Sequence, residues 1–166
     1  MIEGEAVRLQ PIAREVALAL LDGRAPEGIA FADGYPSPFS LEVMDIVAGR
    51  RAATDDGRGF NPCFVVRKDD GVVVGEIGYS LSADAVANLG YSIVEPCQGR
   101  GYASDALRAL AAALRADPGV RVVTAQTLVG HVASRRVMEN AGMTLCDERL
   151  GEVDGELVEL VIYELA

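Results

Sequence analysis

One stretch limits what this chain can fold into more than any other: Glu95-Pro96-Cys97-Gln98-Gly99-Arg100-Gly101-Tyr102-Ala103-Ser104-Asp105-Ala106-Leu107. Before it, residues 88–94 alternate as a strand does, with Leu89, Tyr91 and Ile93 on one side and Gly90, Ser92 and Val94 on the other. After it, Ala103, Leu107, Leu110 and Leu114 recur at helical spacing until Asp117-Pro118-Gly119 stops the run, which predicts a helix over 101–116. Two glycines and a small alanine at a strand-to-helix turn let backbone N–H groups converge with no side chain in the way. The first helical turn adds donors that have no partner of their own, together with the positive end of the helix dipole. Such a cradle suits a pyrophosphate.

Two other phosphate-binding patterns do not fit. A Walker-type loop needs Gly-Lys followed by Ser or Thr, a triplet absent here. The dinucleotide fingerprint needs a third glycine where Ser104 stands, and it should follow the first strand of a βαβ unit. This turn follows a run of antiparallel-type strands instead.

The remaining elements read as follows. Residues 7–10 form a short first strand. Pro11 sits at a helix start, with Ile12, Val16 and Leu20 on one face and Gly23 at the end. Residues 24–39, rich in Gly, Pro and aromatics, form an ordered loop. Ser40 can cap a second helix whose face is Leu41, Met44, Val47 and Ala48. A loop over 54–61 leads into strands over 63–68 and 72–81, joined by a hairpin turn at Asp69-Asp70-Gly71. Beyond the long helix come a strand over 120–125, a short helix over 133–141 closed by Gly142, and a hairpin over 143–165 turning at Val153-Asp154-Gly155. The result is a mixed α/β domain with no internal repeat.

With 166 residues, 50% of them hydrophobic, the chain is sized for a single domain over 1–166 with a packed core. Cys63, Cys97 and Cys146 are too scattered for a disulfide framework, and with one histidine they lack the spacing of a metal site; they read as buried free thiols. A net charge of −10 disfavours nucleic acid and anionic membranes as partners and favours a cationic substrate such as a protonated amine. No apolar run reaches the roughly 18 residues that span a bilayer, and the first residues do not read as a signal peptide, so a cytoplasmic location is expected.

Gln98-Gly-Arg-Gly101-Tyr-Ala103 matches the Gln/Arg-x-x-Gly-x-Gly/Ala signature of GNAT N-acetyltransferases. Further along, His131-Val-Ala-Ser134-Arg-Arg-Val137-Met-Glu-Asn-Ala-Gly142-Met resembles the Asn-x-x-Ser-x-x-Val-x-Glu-x-x-Gly-Phe segment of the branch that includes the ribosomal-protein N-terminal (Rim-type) acetyltransferases. The resemblance implies an α/β (α+β) GNAT fold. It has a mixed, mostly antiparallel sheet of about seven strands, the fourth and fifth splayed, and about four helices. It also implies acetyl-CoA as co-substrate, no metal, and direct attack by a primary amine, on a small molecule or a peptide, within a ternary complex. The alternative is a GNAT-fold module that binds acetyl-CoA without turnover. A homodimer is compatible with either.

Carried over residue by residue, Ile93 and Val94 would meet the pantetheine arm. Gln98 opens the signature, and backbone N–H groups of Gly99, Arg100, Gly101, Tyr102 and Ala103 would hold the pyrophosphate. The Ser104 hydroxyl either adds a bond or caps its own helix. Ser134 either protonates the leaving thiolate or bonds to nearby backbone. The tyrosine acid of other branches is replaced by Met138. His131 stands where the family has a capping Asn; histidine is a poor cap, and the ring either contacts CoA, faces solvent or acts as a base. Glu76, mid-strand among valines on the face shared by Val72 and Val74, is the foremost candidate for a base whose pKa burial raises, ahead of Glu95. Phe31, Tyr35, Pro36 and Phe39 either line the acceptor side, with Asp33 available to an ammonium, or form a packed Pro-rich loop.

Overall fold

The computed structural model describes residues 1–51 and 60–165, so most of the expected loop over 54–61 lies outside the described residues. Strands β1 (Ile2–Glu3) and β2 (Val7–Pro11) precede helix α1 (Arg14–Leu21), strand β3 (Ala30–Phe31) and helix α2 (Pro38–Val47). Three strands follow, β4 (Cys63–Arg67), β5 (Val72–Leu81) and β6 (Val86–Ile93), and then a single 3-10 turn at Glu95–Cys97. Helix α3 (Tyr102–Arg115), strand β7 (Val122–Leu128), helix α4 (Val132–Asn140) and strands β8 (Thr144–Val153) and β9 (Glu156–Leu165) complete the chain.

One sheet runs in the order β1-β2-β4-β5-β6-β7-β9-β8, with β3 paired to β5 off this path. Among the described residues it holds nine strands, against about seven expected; the additions, β1 and β3, are two residues each, too short to leave an alternating pattern in the sequence. Among the described residues only β6–β7 and β3–β5 pair in parallel. The β8–β9 hairpin closes through Asp154 and Gly155, both at positive φ, as a two-residue turn matching the twist of its strands requires.

The sheet separates two cores. Leu9, Ile77, Leu89, Val123 and Tyr163 pack with Leu107 and Leu110 of α3 and Met138 of α4. On the other face Phe64, Val66 and Val73 pack with Ala17 and Leu20 of α1 and Val43 and Met44 of α2. A β-bulge governs how β5 contributes to both. Its register against β4 passes from Val65↔Gly75 to Val66↔Val73, leaving Val74 as the extra residue. Val74 therefore joins the α3-side core, and Val73, not Val74, lies on the α1/α2 side with Glu76. The bulge brings β6 so close that a Cβ at Gly75 would overlap the Ser92 carbonyl oxygen.

Helix starts depart from the sequence pattern in an informative way. Pro11 ends β2, and α1 begins at Arg14. In α2 the cap is Ser37, whose oxygen accepts the Ser40 N–H, and Pro38 takes the first helical position. Ser40 is freed for another task. Of the thiols only Cys97 is buried; Cys63 is half-buried and Cys146 exposed, since β8 is an edge strand.

Asp105, in the first turn of α3 and 7% exposed, fastens the N-terminal strands to that helix. Its carboxylate accepts the N–H groups of Glu5 (3.0 Å), Ala6 (2.8 Å) and Val7 (3.1 Å), and Arg108 lies 3.5 Å away. Asp105→Ala leaves three N–H donors without their acceptor, that of buried Val7 among them. The expected loss is about 3 kcal/mol, a fall in Tm of roughly 6–12 °C, with Asp105→Asn losing less. Thermal and urea unfolding measure this, and an alanine variant within 1 kcal/mol of the parent, a margin of about 1 unit on the same scale, would show that the carboxylate does not hold this edge.

Candidate active site

The parallel pairing of β6 with β7 runs only from Val86↔Val122 to Leu89↔Ala125. Beyond it each strand keeps its other neighbour: β6 stays with β5 as far as Gly75↔Ile93, and β7 stays with β9 as far as Leu128↔Leu160. The strands therefore splay, and a cavity of about 520 Å³ opens beside the gap, within the size range of small-molecule sites.

Three elements build its wall. From β6 come Tyr91, Ser92 and Ile93; from the turn into α3 come Cys97, Gln98, Gly99, Gly101, Tyr102, Ala103 and Ser104. Helix α4 supplies Ala133, Ser134, Arg136, Val137 and Asn140, with His131 at its cap. Gly99 (φ +73°) and Gly101 (φ +83°) are left-handed. A Cβ at either would meet nothing within 4 Å, so conformation rather than space demands glycine there. Gly101 caps α3 with no side-chain bond, and the N–H groups of residues 99–104 find no partner among the described residues. That row of free donors at a helix N-terminus fits a doubly charged anion. Gln98 steadies the turn, its Nε2 donating to the Ile93 carbonyl at 2.8 Å.

Ser134 is held by two neighbours. Its N–H donates to His131 Nδ1 at 3.1 Å, so histidine does cap this helix, which requires a neutral ring carrying its proton on Nε2. Its Oγ lies 2.8 Å and its carbonyl oxygen 3.2 Å from the Tyr91 hydroxyl, whose single proton serves one of the two at a time. Burial pushes the Tyr91 phenol up and the Ser134 bond offsets part of that, so the phenol stays protonated at neutral pH.

Glu76 lies on the α1/α2 side of the sheet, 2% exposed, with Phe64 and Ser92 as its cross-strand neighbours. Ser40 Oγ donates to its Oε1 at 3.0 Å, while Oε2 and the Tyr35 hydroxyl are both buried without a well-formed hydrogen bond. The Tyr35 phenol nevertheless senses the carboxylate: burial raises it first, the Glu76 charge second. Burial likewise lifts Glu76 to about 7, against the lowering effect of Ser40 and Tyr35. The Tyr35 ring stacks on Phe31 at 5.0 Å, and both meet Phe64 edge-on at 5.9 and 6.1 Å.

Of the residues singled out from sequence, Ile93, Gln98, Gly99, Gly101, Tyr102, Ala103, Ser104, His131 and Ser134 line the cavity. Val94 and Arg100 do not: Val94 is buried, its N–H donating to the Val74 carbonyl at 3.0 Å, and Arg100 is exposed. Phe31, Tyr35 and Glu76 form a separate group, joined to the cavity through Ser92, and Asp33 is exposed beside them. Sequence reading passed over Tyr91, Arg136 and Asn140. The spacing of 133, 136–137 and 140 marks one helix face and could have found the last two. Among the described residues no group of three His, Cys, Asp or Glu side chains could hold a metal, and no helix is long and apolar enough to cross a membrane.

The model of the acetyltransferase (GNAT) domain family matches residues 7–144. No curated protein matches the sequence. Among solved structures, RimL, a ribosomal L7/L12 alpha-N-protein acetyltransferase in complex with coenzyme A, aligns with a TM-score of 0.71 at 17% identity, over 99% of this chain and 97% of that one. RimJ of Mycobacterium smegmatis, in complex with CoA-disulfide, gives 0.70 at 21% over 98% and 85%. The microcin C7 self-immunity acetyltransferase MccE, in complex with acetyl-CoA and AMP, gives 0.68 at 17% over 96% and 92%. At such identities the likeness is one of fold.

The position of Glu76 has a consequence for stability. A carboxyl whose folded value exceeds its unfolded value binds its proton more tightly in the folded chain. Its contribution therefore favours folding at low pH and is withdrawn as the pH rises from 4.5 to about 7. Relative to Glu76→Gln, the parent protein should lose on the order of 3 kcal/mol across that window and change little above it. Urea unfolding at a series of pH values measures the difference, and parallel curves for the two proteins would contradict it.

Proposed function

The chain belongs to the GNAT acetyltransferase domain family, and on that footing we propose that it transfers an acetyl group from acetyl-CoA to a primary amine by direct attack in a ternary complex. The observation that carries this reading is the row of partnerless N–H groups over 99–104, opening into the cavity at the parting of β6 and β7. Acetyl-CoA supplies an acyl thioester activated toward amines. The cradle holds its pyrophosphate, and the gap beyond Leu89 takes the pantetheine arm beside Ile93.

Glu76 is the general base. Its environment keeps a protonated and a charged population together near neutrality, as proton abstraction from an ammonium requires. Ser134, steadied by Tyr91 and the α4 cap, delivers a proton to the departing thiolate, a task Met138 in the buried core cannot perform. The acceptor approaches past Phe31, Asp33 and Tyr35, and the net charge of −10 draws a cation toward the surface.

Thermal unfolding with acetyl-CoA, CoA, ATP and NAD tests the cofactor. Acetyl-CoA at a hundredfold over its Kd adds about 2.7 kcal/mol, with no comparable gain from ATP or NAD. With a responsive amine found from a panel, Glu76→Gln should lower kcat/KM by about 10²–10⁴ while leaving the acetyl-CoA shift intact. A shift with no transfer to any amine favours the binding module; no shift with acetyl-CoA removes the cradle assignment.

A further inference from the structure

Ser40 stands 1% exposed in the first turn of α2, in direct contact with the Glu76 carboxylate. Its hydroxyl has one proton, and that proton goes to Glu76 Oε1 at 3.0 Å. Ser37 Oγ lies 2.9 Å from Ser40 Oγ, so with the Ser40 proton committed, the Ser37 hydroxyl must be the donor between them. Ser37 Oγ in turn accepts the Ser40 N–H at 3.1 Å. Every proton in this chain points toward the carboxylate, and the helix N-terminus stands behind it.

The geometry has a second effect. With Oε1 occupied, the two oxygens of Glu76 are no longer equivalent: Oε2 is the one without a well-formed bond, buried in a carboxylate on which the Tyr35 hydroxyl also acts. We infer that Ser40, oriented by Ser37, is a positioning residue for the reaction: it fixes the Glu76 carboxylate so that Oε2 alone takes the amine proton, and it sets the pH at which that oxygen is free to do so. This inference rests on Glu76 being the general base. In the step itself one proton leaves the ammonium nitrogen for Oε2, the nitrogen keeps the electron pair with which it attacks, and the Ser40 bond to Oε1 stays in place.

The groups around the carboxyl leave few other influences. Tyr35, from the loop before α2, is the titratable neighbour; Phe64 on β4 and Ser92 on β6 carry no charge. Removing the Ser40 donor takes away a bond to the charged form and leaves the burial that opposes it, so the Glu76 midpoint should rise.

The test is a carboxyl-¹³C glutamate NMR titration of the full chain, with the Glu76 signal assigned by its loss in Glu76→Gln, run beside the pH dependence of kcat/KM. In Ser40→Ala both the NMR midpoint and the acid limb should move up by about one pH unit. Ser37→Ala should shift them the same way by less, and Ser40→Thr, which keeps the hydroxyl, should restore parent values. An unmoved midpoint in folded Ser40→Ala overturns the inference and leaves the base role standing. A midpoint that moves without the acid limb overturns the base role of Glu76, and this inference falls with it.

Discussion

The separation of two neighbouring strands organises the molecule. A parallel pair is held by the ladder it makes, and here that ladder stops after four residues on each strand. Neither strand is orphaned, because β5 and β9 supply partners on the outer sides as far as Ile93 and Leu128. The sheet thus opens a gap at its centre at little cost in hydrogen bonding. The turn that follows β6 then has to fold back over the gap, which places two left-handed glycines and a bare helix N-terminus at the mouth of the cavity. Helix α4, tied down where Tyr163 donates to Glu139 at 2.9 Å and accepts from Arg135 at 3.1 Å, forms the opposite wall and brings Ser134 to it.

Two buried carboxylates show how the same group serves different ends. Asp105 receives three backbone N–H groups and has a guanidinium nearby, so its charge is fully answered. It joins an edge of the sheet to α3. Glu76 receives one hydroxyl bond on one oxygen and is otherwise enclosed by Phe64, Ser92 and Tyr35. A carboxylate so thinly solvated is costly to keep charged, and that cost is what brings its proton affinity toward neutrality.

The turn between β6 and α3, with its free backbone donors, was legible in the sequence because its pattern is local. A strand pattern, two glycines and a helix pattern follow one another between Leu89 and Leu114, and the free donors are backbone. Element order was legible for the same reason. What escaped depends on contacts distant in sequence. Nothing near Asp105 announces that residues 5–7 will donate to it. The partnership of Ser40 with Glu76 spans 36 positions, and the serine read as a helix cap from its neighbours alone. The bulge at Val74 is set by pairing with β4, so alternation along β5 misassigned that valine while placing Glu76 inside. The histidine cap shows the reverse limit: a weak general preference gave way once Nδ1 met the Ser134 N–H.

The central claim is that backbone donors over 99–104 exist to hold the pyrophosphate of acetyl-CoA. Amide hydrogen exchange across that segment, compared for the free protein, with CoA, and with pantetheine, tests it most directly. The account predicts strong slowing at these amides with CoA and little with pantetheine, which lacks the pyrophosphate. Equal exchange in all three states, or slowing by pantetheine as large as by CoA, would contradict it.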